Sequence, residues 1–121
     1  ILRTEASEYW NTHYLFGKSS PASVKYLGRQ AVSTLMINTI VPFLTVYGSM
    51  QNRQDCMELA VEIITGLKAE SNEIIKKWRT FGLNPSNALE SQALIHLHHR
   101  YCRQGRCLEC PIGATFPATI I

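Results

Sequence analysis

The fold is organised around residues 31–47, which read AVSTLMINTIVPFLTVY. Their apolar side chains wrap most of the way around a helix, so we expect residues 27–50 to form the central and most buried element. Pro42 lies inside this helix, lacks a backbone N–H and pushes against the carbonyl of Asn38. The sequence therefore predicts a kink or a break at Pro42, with Asn38 and Thr39 hydrogen-bonded to the backbone groups that it frees.

Four shorter helices are predicted around the central one from their apolar periodicity and their capping residues. They run from Thr4 to Tyr14, from Asn52 or Asp55 to Leu67, from Ser71 or Asn72 to Gly82, and from Ser86 to about Gly105. No stretch alternates apolar and polar residues over a useful length, so no strand is predicted. The fold class is therefore all-α, an irregular bundle of about five helices with a C-terminal cysteine-rich metal-binding knuckle.

The length and composition of the chain suit a single domain. With 121 residues, 45% of them apolar, the chain can bury a core of its own. We expect residues 1–121 to form one helical domain, and Ile1 in the place of Met indicates a fragment or a processed chain. No apolar run reaches the ~18 uninterrupted residues of a membrane span, so no membrane contact is expected. The net charge of +3 is too small to indicate a nucleic-acid binder by itself.

The tail holds three of the four cysteines of the chain, Cys102, Cys107 and Cys110, at C-x4-C-x2-C spacing. Thiolates with C-x2-C spacing are typical of tetrahedral zinc sites, which take two ligands from such a pair and two from another element. The alternative is a group of free thiols near the end of the chain. The crowding of three thiols favours metal ligands.

The fourth ligand has three candidates at this point. His99 and His98 lie three and four residues before Cys102, so either shares its helix face, whereas Cys56 is available if its helix packs beside the last one. Four thiolates would also fit an iron–sulfur cluster, so the expected cofactor is zinc or an iron–sulfur cluster. Two disulfides are less favoured, because the chain is not dense in cysteine.

Basic residues concentrate near the same tail and on the preceding helix. They are Arg100, Arg103, Arg106, Lys76 and Lys77. A second hypothesis is a nucleic-acid-binding module that contacts phosphates through these side chains, with an exposed Trp78 beside them. The alternative is a solvated helix end, where cations complement the helix dipole.

Catalysis by this chain alone is not predicted. No glycine-rich phosphate loop, H-E-x-x-H motif or nucleophile elbow is present. A third hypothesis is a Cys/His hydrolase with Cys102 or Cys107 as nucleophile beside His98 or His99. The crowding of three thiols argues for ligands over a single activated nucleophile.

Several segments resemble the C-terminal part of a large, uncharacterised bacterial family, domain of unknown function 2851. They are residues 9–17 (YWNTHYLFG), 37–44 (INTIVPFL), 47–48 (YG), 55–56 (DC), 67–70 (LKAE), 91–95 (SQALI) and 101–113. The pattern of that family has a cysteine at the place of Cys56. The resemblance thus implies Cys56, Cys102, Cys107 and Cys110 as the metal ligands and makes the histidines incidental.

Longer members of this family carry an N-terminal region that resembles the cores of restriction-type nucleases. The resemblance implies that this chain is a non-catalytic helical module, accessory to a larger, nuclease-like protein of the bacterial cytoplasm. Its partner would be the N-terminal region of the full-length protein. Its metal site would be structural, because full coordination leaves no open position for a substrate.

Overall fold

The computed structural model describes residues 4–115. The first part of the chain contains a short helix α1 (Glu8–Asn11) and two paired strands, β1 (His13–Leu15) and β2 (Lys18–Ser19). The helices that follow are α2 (Arg29–Leu35), α3 (Val41–Gln51), α4 (Gln54–Gly66), α5 (Glu73–Thr80) and α6 (Ala88–Arg100). The chain is thus mostly helical, in agreement with the predicted all-α class except for the two short strands, which were not predicted.

Of the kink or break predicted at Pro42, the break is not found, because α2 and α3 are joined by a π-helical turn over Met36–Ile40. In this turn the Val41 N–H donates to the carbonyl of Met36, five residues earlier. This hydrogen bond closes the wider turn immediately before Pro42. The backbone N–H that proline lacks therefore does not break the helix. Helix α2, the π-turn and α3 are thus one continuous run, which gives five helical segments within residues 4–115.

The predicted hydrogen bonds around Pro42 are found in part. Asn38 Nδ2 donates to the carbonyl of Thr34 at 3.0 Å, so this side chain does bond a local backbone group. No side-chain hydrogen bond of Thr39 is found within residues 4–115.

The predicted helix from Thr4 to Tyr14 is also wrong, since α1 begins only at Glu8 and is followed by the strands. Lys25 explains the difference. Its Nζ donates to the carbonyls of Trp10 and His13, which a continuing helix would use for its own hydrogen bonds. Gly17, with φ of 70°, makes the turn between the two strands.

The later helix ends follow local chemistry. Asn72 caps α5 by accepting from the Ile75 N–H at 3.0 Å, and Gly82 ends that helix with φ of 85°, as predicted. The cap of α6 is Asn87 and not Ser86, since the Asn87 side chain accepts from the Glu90 N–H.

Helix α4 has no side-chain cap, so the predicted caps at Asn52 and Asp55 are wrong. Asn52 instead ends α3 in the left-handed conformation, with φ of 53°. Asp55 lies inside the first turn of α4, where its negative charge suits the helix N-terminus.

The core is small and lies where α3, α4 and α6 meet. Its buried apolar members are Ile37, Val41, Ala60, Ile64 and Ala88. Ser91 is buried beside them and donates to the Ala88 carbonyl.

Much of the central helix is exposed, contrary to the prediction that it is the most buried element. Phe43 is 61% exposed and Met50 74%, with Val46 and Tyr47 between them at helical spacing. By length and apolar composition alone, the 23-residue run Arg29–Gln51 would be able to cross a membrane. Core helices of soluble proteins and signal sequences pass the same test. The expected absence of membrane contact stays a prediction.

Candidate metal centre

The tail after α6 folds into three short turns, each a single turn of 3-10 helix. They are Cys102–Gln104, Cys107–Glu109 and Gly113–Thr115. Gly105 separates the first two with φ of 66°, a conformation that favours glycine, and the Arg106 N–H donates back to the Tyr101 carbonyl at 3.0 Å. Cys102 therefore begins the first turn, Cys107 begins the second, and Cys110 caps the end of the second.

The C-x2-C pair forms a tight turn. The Cys110 N–H donates to the Cys107 carbonyl at 3.2 Å, and the Cys110 carbonyl accepts from the Ala114 N–H at 2.9 Å. Gly113 folds back onto this turn so closely that a Cβ there would lie 2.2 Å from the Cys107 carbonyl oxygen. The Cys110 side chain is enclosed, with 4% exposed, whereas Cys102 and Cys107 are exposed.

The pKa of the Cys102 thiol is raised, first by burial and then by the charges of Cys107 and Cys110. A catalytic cysteine needs the opposite shift, since the thiolate is the nucleophile and a lowered pKa supplies it. The hydrolase hypothesis thus gains no support from Cys102.

Cys56 lies apart from the tail, in the first turn of α4. It is half-buried in the contact between α3 and α4, where its Cβ is 3.2 Å from the position that a Cβ on Gly48 would take. No three His, Cys, Asp or Glu side chains within residues 4–115 are grouped so that they would hold a metal ion. The cysteines are thus not clustered within residues 4–115, and the expected metal-binding knuckle with four ligands is not assembled there.

The histidines end α6 on its last turn. The rings of His98 and His99 meet edge to face, with their centroids 5.7 Å apart. His99 is exposed and His98 is half-buried. Neither belongs to a group that would hold a metal among the residues described, so their role as alternative ligands stays a prediction.

Two of the five predicted basic residues are engaged in ion pairs. Arg106 makes a two-point contact with the carboxylate of Glu109, and Lys76 Nζ lies 2.6 Å from Glu73 Oε1. Arg106 holds the pKa of Glu109 below its usual value through this hydrogen bond. These two cations are therefore partly neutralised.

The other three predicted basic residues, Arg100, Arg103 and Lys77, are exposed and have no ion pair within residues 4–115. Trp78 was expected to be exposed beside them, but it is half-buried, and its Nε1–H donates to the Leu94 carbonyl at 3.0 Å. This hydrogen bond joins α5 to α6.

Comparison with known proteins places the chain in a family. Residues 1–73, more than half of the sequence, match the family described as "Protein of unknown function (DUF2851)". The chain belongs to this family. No curated protein and no solved structure matches the chain.

The DUF2851 match includes Cys56 and ends before the tail, so it covers one of the four predicted ligands. The resemblance of residues 91–95 and 101–113 to the same family lies outside the matched stretch. The predicted membership is confirmed, whereas the four-cysteine set stays a prediction.

A cavity of about 360 Å³ lies within the DUF2851 match and was not predicted from the sequence. It opens between the start of α2 and the loop that follows α4. Arg29, Ser33, Ile37, Lys68 and Glu70 are among its lining residues. The sequence feature that indicates this cavity is the segment LKAE at residues 67–70, which was interpreted only as part of the family resemblance.

Proposed function

We propose that this chain is a non-catalytic helical module whose tail takes up a thiolate-bound metal and which serves a larger protein. The metal site would contain Cys102, Cys107, Cys110 and, as fourth ligand, Cys56. The cofactor would be zinc or an iron–sulfur cluster, both of which accept four thiolates. The metal would stabilise the fold, because closing a long loop restricts the unfolded chain.

The observation that carries the proposal is the tight turn of Cys107 and Cys110, with Gly113 packed against it. Two thiols on such a turn are the common half of a zinc site. The turn is closed by backbone hydrogen bonds. Cys102 adds a third soft ligand on the neighbouring turn.

The connection between α4 and α6 supports Cys56 as the fourth ligand. The Ala88 N–H donates to the Leu67 carbonyl at 2.9 Å, which joins the end of α4 to the start of α6. A helix rises about 1.5 Å per residue. Cys56 therefore lies roughly 16 Å from Leu67 back along α4, and Cys102 lies roughly 21 Å from Ala88 forward along the direction of α6. The two thiols thus have similar axial distances from the junction, and binding would need the tail to bend towards α4.

The exposed apolar row on α3 supports an accessory role. Side chains such as Phe43 and Met50 are more than half exposed although the same helix carries no charged residue between Arg29 and Arg53. Burial of such a row against another domain is favourable, at about 25 cal/mol per Å² of apolar surface. The N-terminal region of the full-length protein is the partner we propose for it.

Metal analysis of anaerobically purified protein, with an optical spectrum, tests the metal site. We expect either colourless protein with one zinc per chain or brown protein with iron and sulfide. The double substitution of Cys107→Ser and Cys110→Ser should abolish the metal. A matched control, Ser19→Ala together with Ser49→Ala, should leave it unchanged. Protein that holds neither metal would contradict the proposal.

A second proposal is nucleic-acid binding by Arg100, Arg103 and Lys77. The observation that favours it is that these exposed cations, on α6, the tail and α5, have no acidic partner among the residues described. Such cations are available for phosphate groups.

A further inference from the structure

We infer that the cavity between α2 and the loop after α4 binds a small organic molecule that carries a phosphate group. This site is separate from the tail cysteines and does not depend on the metal proposal. Its walls come from Arg29 and its neighbours on one side and from residues 66–70 on the other.

The size of the cavity sets the size of the ligand. Its volume of about 360 Å³ is near the lower end of the roughly 300–1,000 Å³ typical of small-molecule sites. Inorganic phosphate alone would leave most of this space unfilled. Ile37, which is buried, and Leu67, which is half-buried, give one part of the wall an apolar surface for the organic part of the ligand.

The charge of the lining favours an anion. Arg29 and Lys68 contribute two positive charges and Glu70 one negative charge, so the lining carries a net charge of +1. Neither cation has an ion pair within residues 4–115. The Glu70 carboxylate accepts a hydrogen bond from Gln92 on α6, which reduces its competition for the two cations.

The polar groups of the lining favour phosphate over a carboxylate. Arginine presents a fork of donors that suits two oxygens at once, and lysine adds a point charge. The Ser33 hydroxyl and the Gln30 amide lie in the same lining and supply further donors. A phosphate monoester has three terminal oxygens to satisfy, whereas a carboxylate has two.

The wall opposite Arg29 is held in place by α6. The Glu70 N–H donates to Ser91 Oγ at 3.1 Å, and the Leu67 carbonyl accepts from Ala88. Ser91 and Ala88 are both fully buried. The backbone on either side of Lys68 is therefore fixed before a ligand arrives, so the loop itself loses little conformational entropy on binding.

Nuclear magnetic resonance titration of the 121-residue chain with adenosine monophosphate tests the site. Adenosine and citrate, at matched ionic strength, are the comparison ligands. We expect saturable shifts of the Ile37 methyl and Lys68 amide signals with adenosine monophosphate. Citrate should bind at least tenfold more weakly, and adenosine should not bind. Equal affinity for citrate, or no saturable shift, would overturn the inference.

Substitutions locate the binding on these residues. Arg29→Gln and Lys68→Gln should each weaken binding about tenfold or more, since each removes a charged hydrogen-bond donor from an exposed position. Glu70→Gln should strengthen binding, because it removes the negative charge and keeps an acceptor for Gln92. Lys18→Gln, an exposed cation on β2 outside the lining, is the matched control. An equal loss in this control would show binding elsewhere and overturn the inference.

Discussion

The main chains of Gly48 and Arg53 lie in close contact. The Arg53 N–H donates to the Gly48 carbonyl at 2.8 Å, while the Arg53 carbonyl oxygen lies 2.8 Å from the position that a Cβ on Gly48 would occupy. This contact sets the tight turn between α3 and α4 and the close approach of the two helices. Cys56 lies in the same contact, so the position of this predicted ligand depends on the absence of a side chain at residue 48.

Gly48→Ala should destabilise the whole domain. A Cβ there would overlap a backbone oxygen and the Met57 side chain, and overpacking of this kind costs roughly 1–3 kcal/mol. Urea unfolding followed by circular dichroism measures the change. The control is Gly66→Ala, where nothing lies within 4 Å of a new Cβ, and it should be neutral or slightly stabilising. Equal stability of the two variants would contradict the packing argument.

The carboxylate of Asp55 should titrate far below its usual range. The hydrogen bonds from Arg53, at 2.8 and 2.6 Å, lower its pKa from 3.8 to about 2. Because the pKa is lowered in the folded state, this pair stabilises the fold above about pH 4, and the contribution disappears as the pH falls towards 2. Both side chains are exposed, so salt should weaken the effect.

The measurement for Asp55 is a carbon-13 titration of its carboxyl group. Arg53→Gln should return the pKa towards 3.8, because the hydrogen-bond donors are removed. Arg79→Gln removes an exposed cation that has no ion pair among the residues described, and it should leave the titration of Asp55 unchanged. A lowered pKa that survives Arg53→Gln would rule out this ion pair as its cause.

Local chemistry made several elements predictable from the sequence. The cap at Asn72 and the end of α5 at Gly82 follow from hydrogen bonds that span three to five residues. The C-x2-C turn is equally local. The two strands were not predictable, because Lys25 acts on carbonyls 12 and 15 residues away. The π-turn was not predictable either, since a proline in a helix permits either a break or a wider turn.

The burial of individual side chains and the geometry of the candidate metal site were harder to predict, because both depend on how the helices pack. The apolar side chains of the central helix wrap most of the way around it, so the pattern did not distinguish the buried Ile37 and Val41 from the exposed Phe43. The spacing of the tail cysteines predicted a single metal-binding knuckle, which the structure does not assemble within residues 4–115. It did not fix the distance from the knuckle to Cys56, which depends on the angle between α4 and α6.

The identity of the fourth ligand can be tested by three single substitutions. If Cys56 completes the site, Cys56→Ser should weaken metal binding by more than the roughly 10–100-fold known for outer-sphere partners of metals. His99→Gln and His98→Gln should leave it unchanged. Competition with a chelator measures the affinity. The reverse pattern would assign the site to a histidine. Before this comparison, an unfolding measurement on the metal-free Cys56→Ser protein must show that the α3–α4 contact is intact.

Nucleic-acid binding, if present, should depend steeply on salt. Each phosphate neutralised by Arg or Lys releases counterions, which gives a slope of about −0.9 in log affinity against log salt per contact on duplex DNA. The combined variant Arg100→Gln, Arg103→Gln and Lys77→Gln should therefore lose affinity. The magnitude of its salt slope should fall by up to about 2.7, which is the contribution of three phosphate contacts. Fluorescence anisotropy between about 50 and 200 mM salt covers the range in which this term changes strongly.

The ion pairs on the same surface provide the matched control for that experiment. Arg106 and Lys76 are already bound to Glu109 and Glu73, so Arg106→Gln and Lys76→Gln should change the slope less than removal of the unpaired cations. Lys18→Gln, on β2, removes one charge from an exposed strand in the first part of the chain and should leave the slope unchanged. Equal effects of all these substitutions would mean that net charge alone attracts the nucleic acid. Affinity that does not change with salt would contradict phosphate binding altogether.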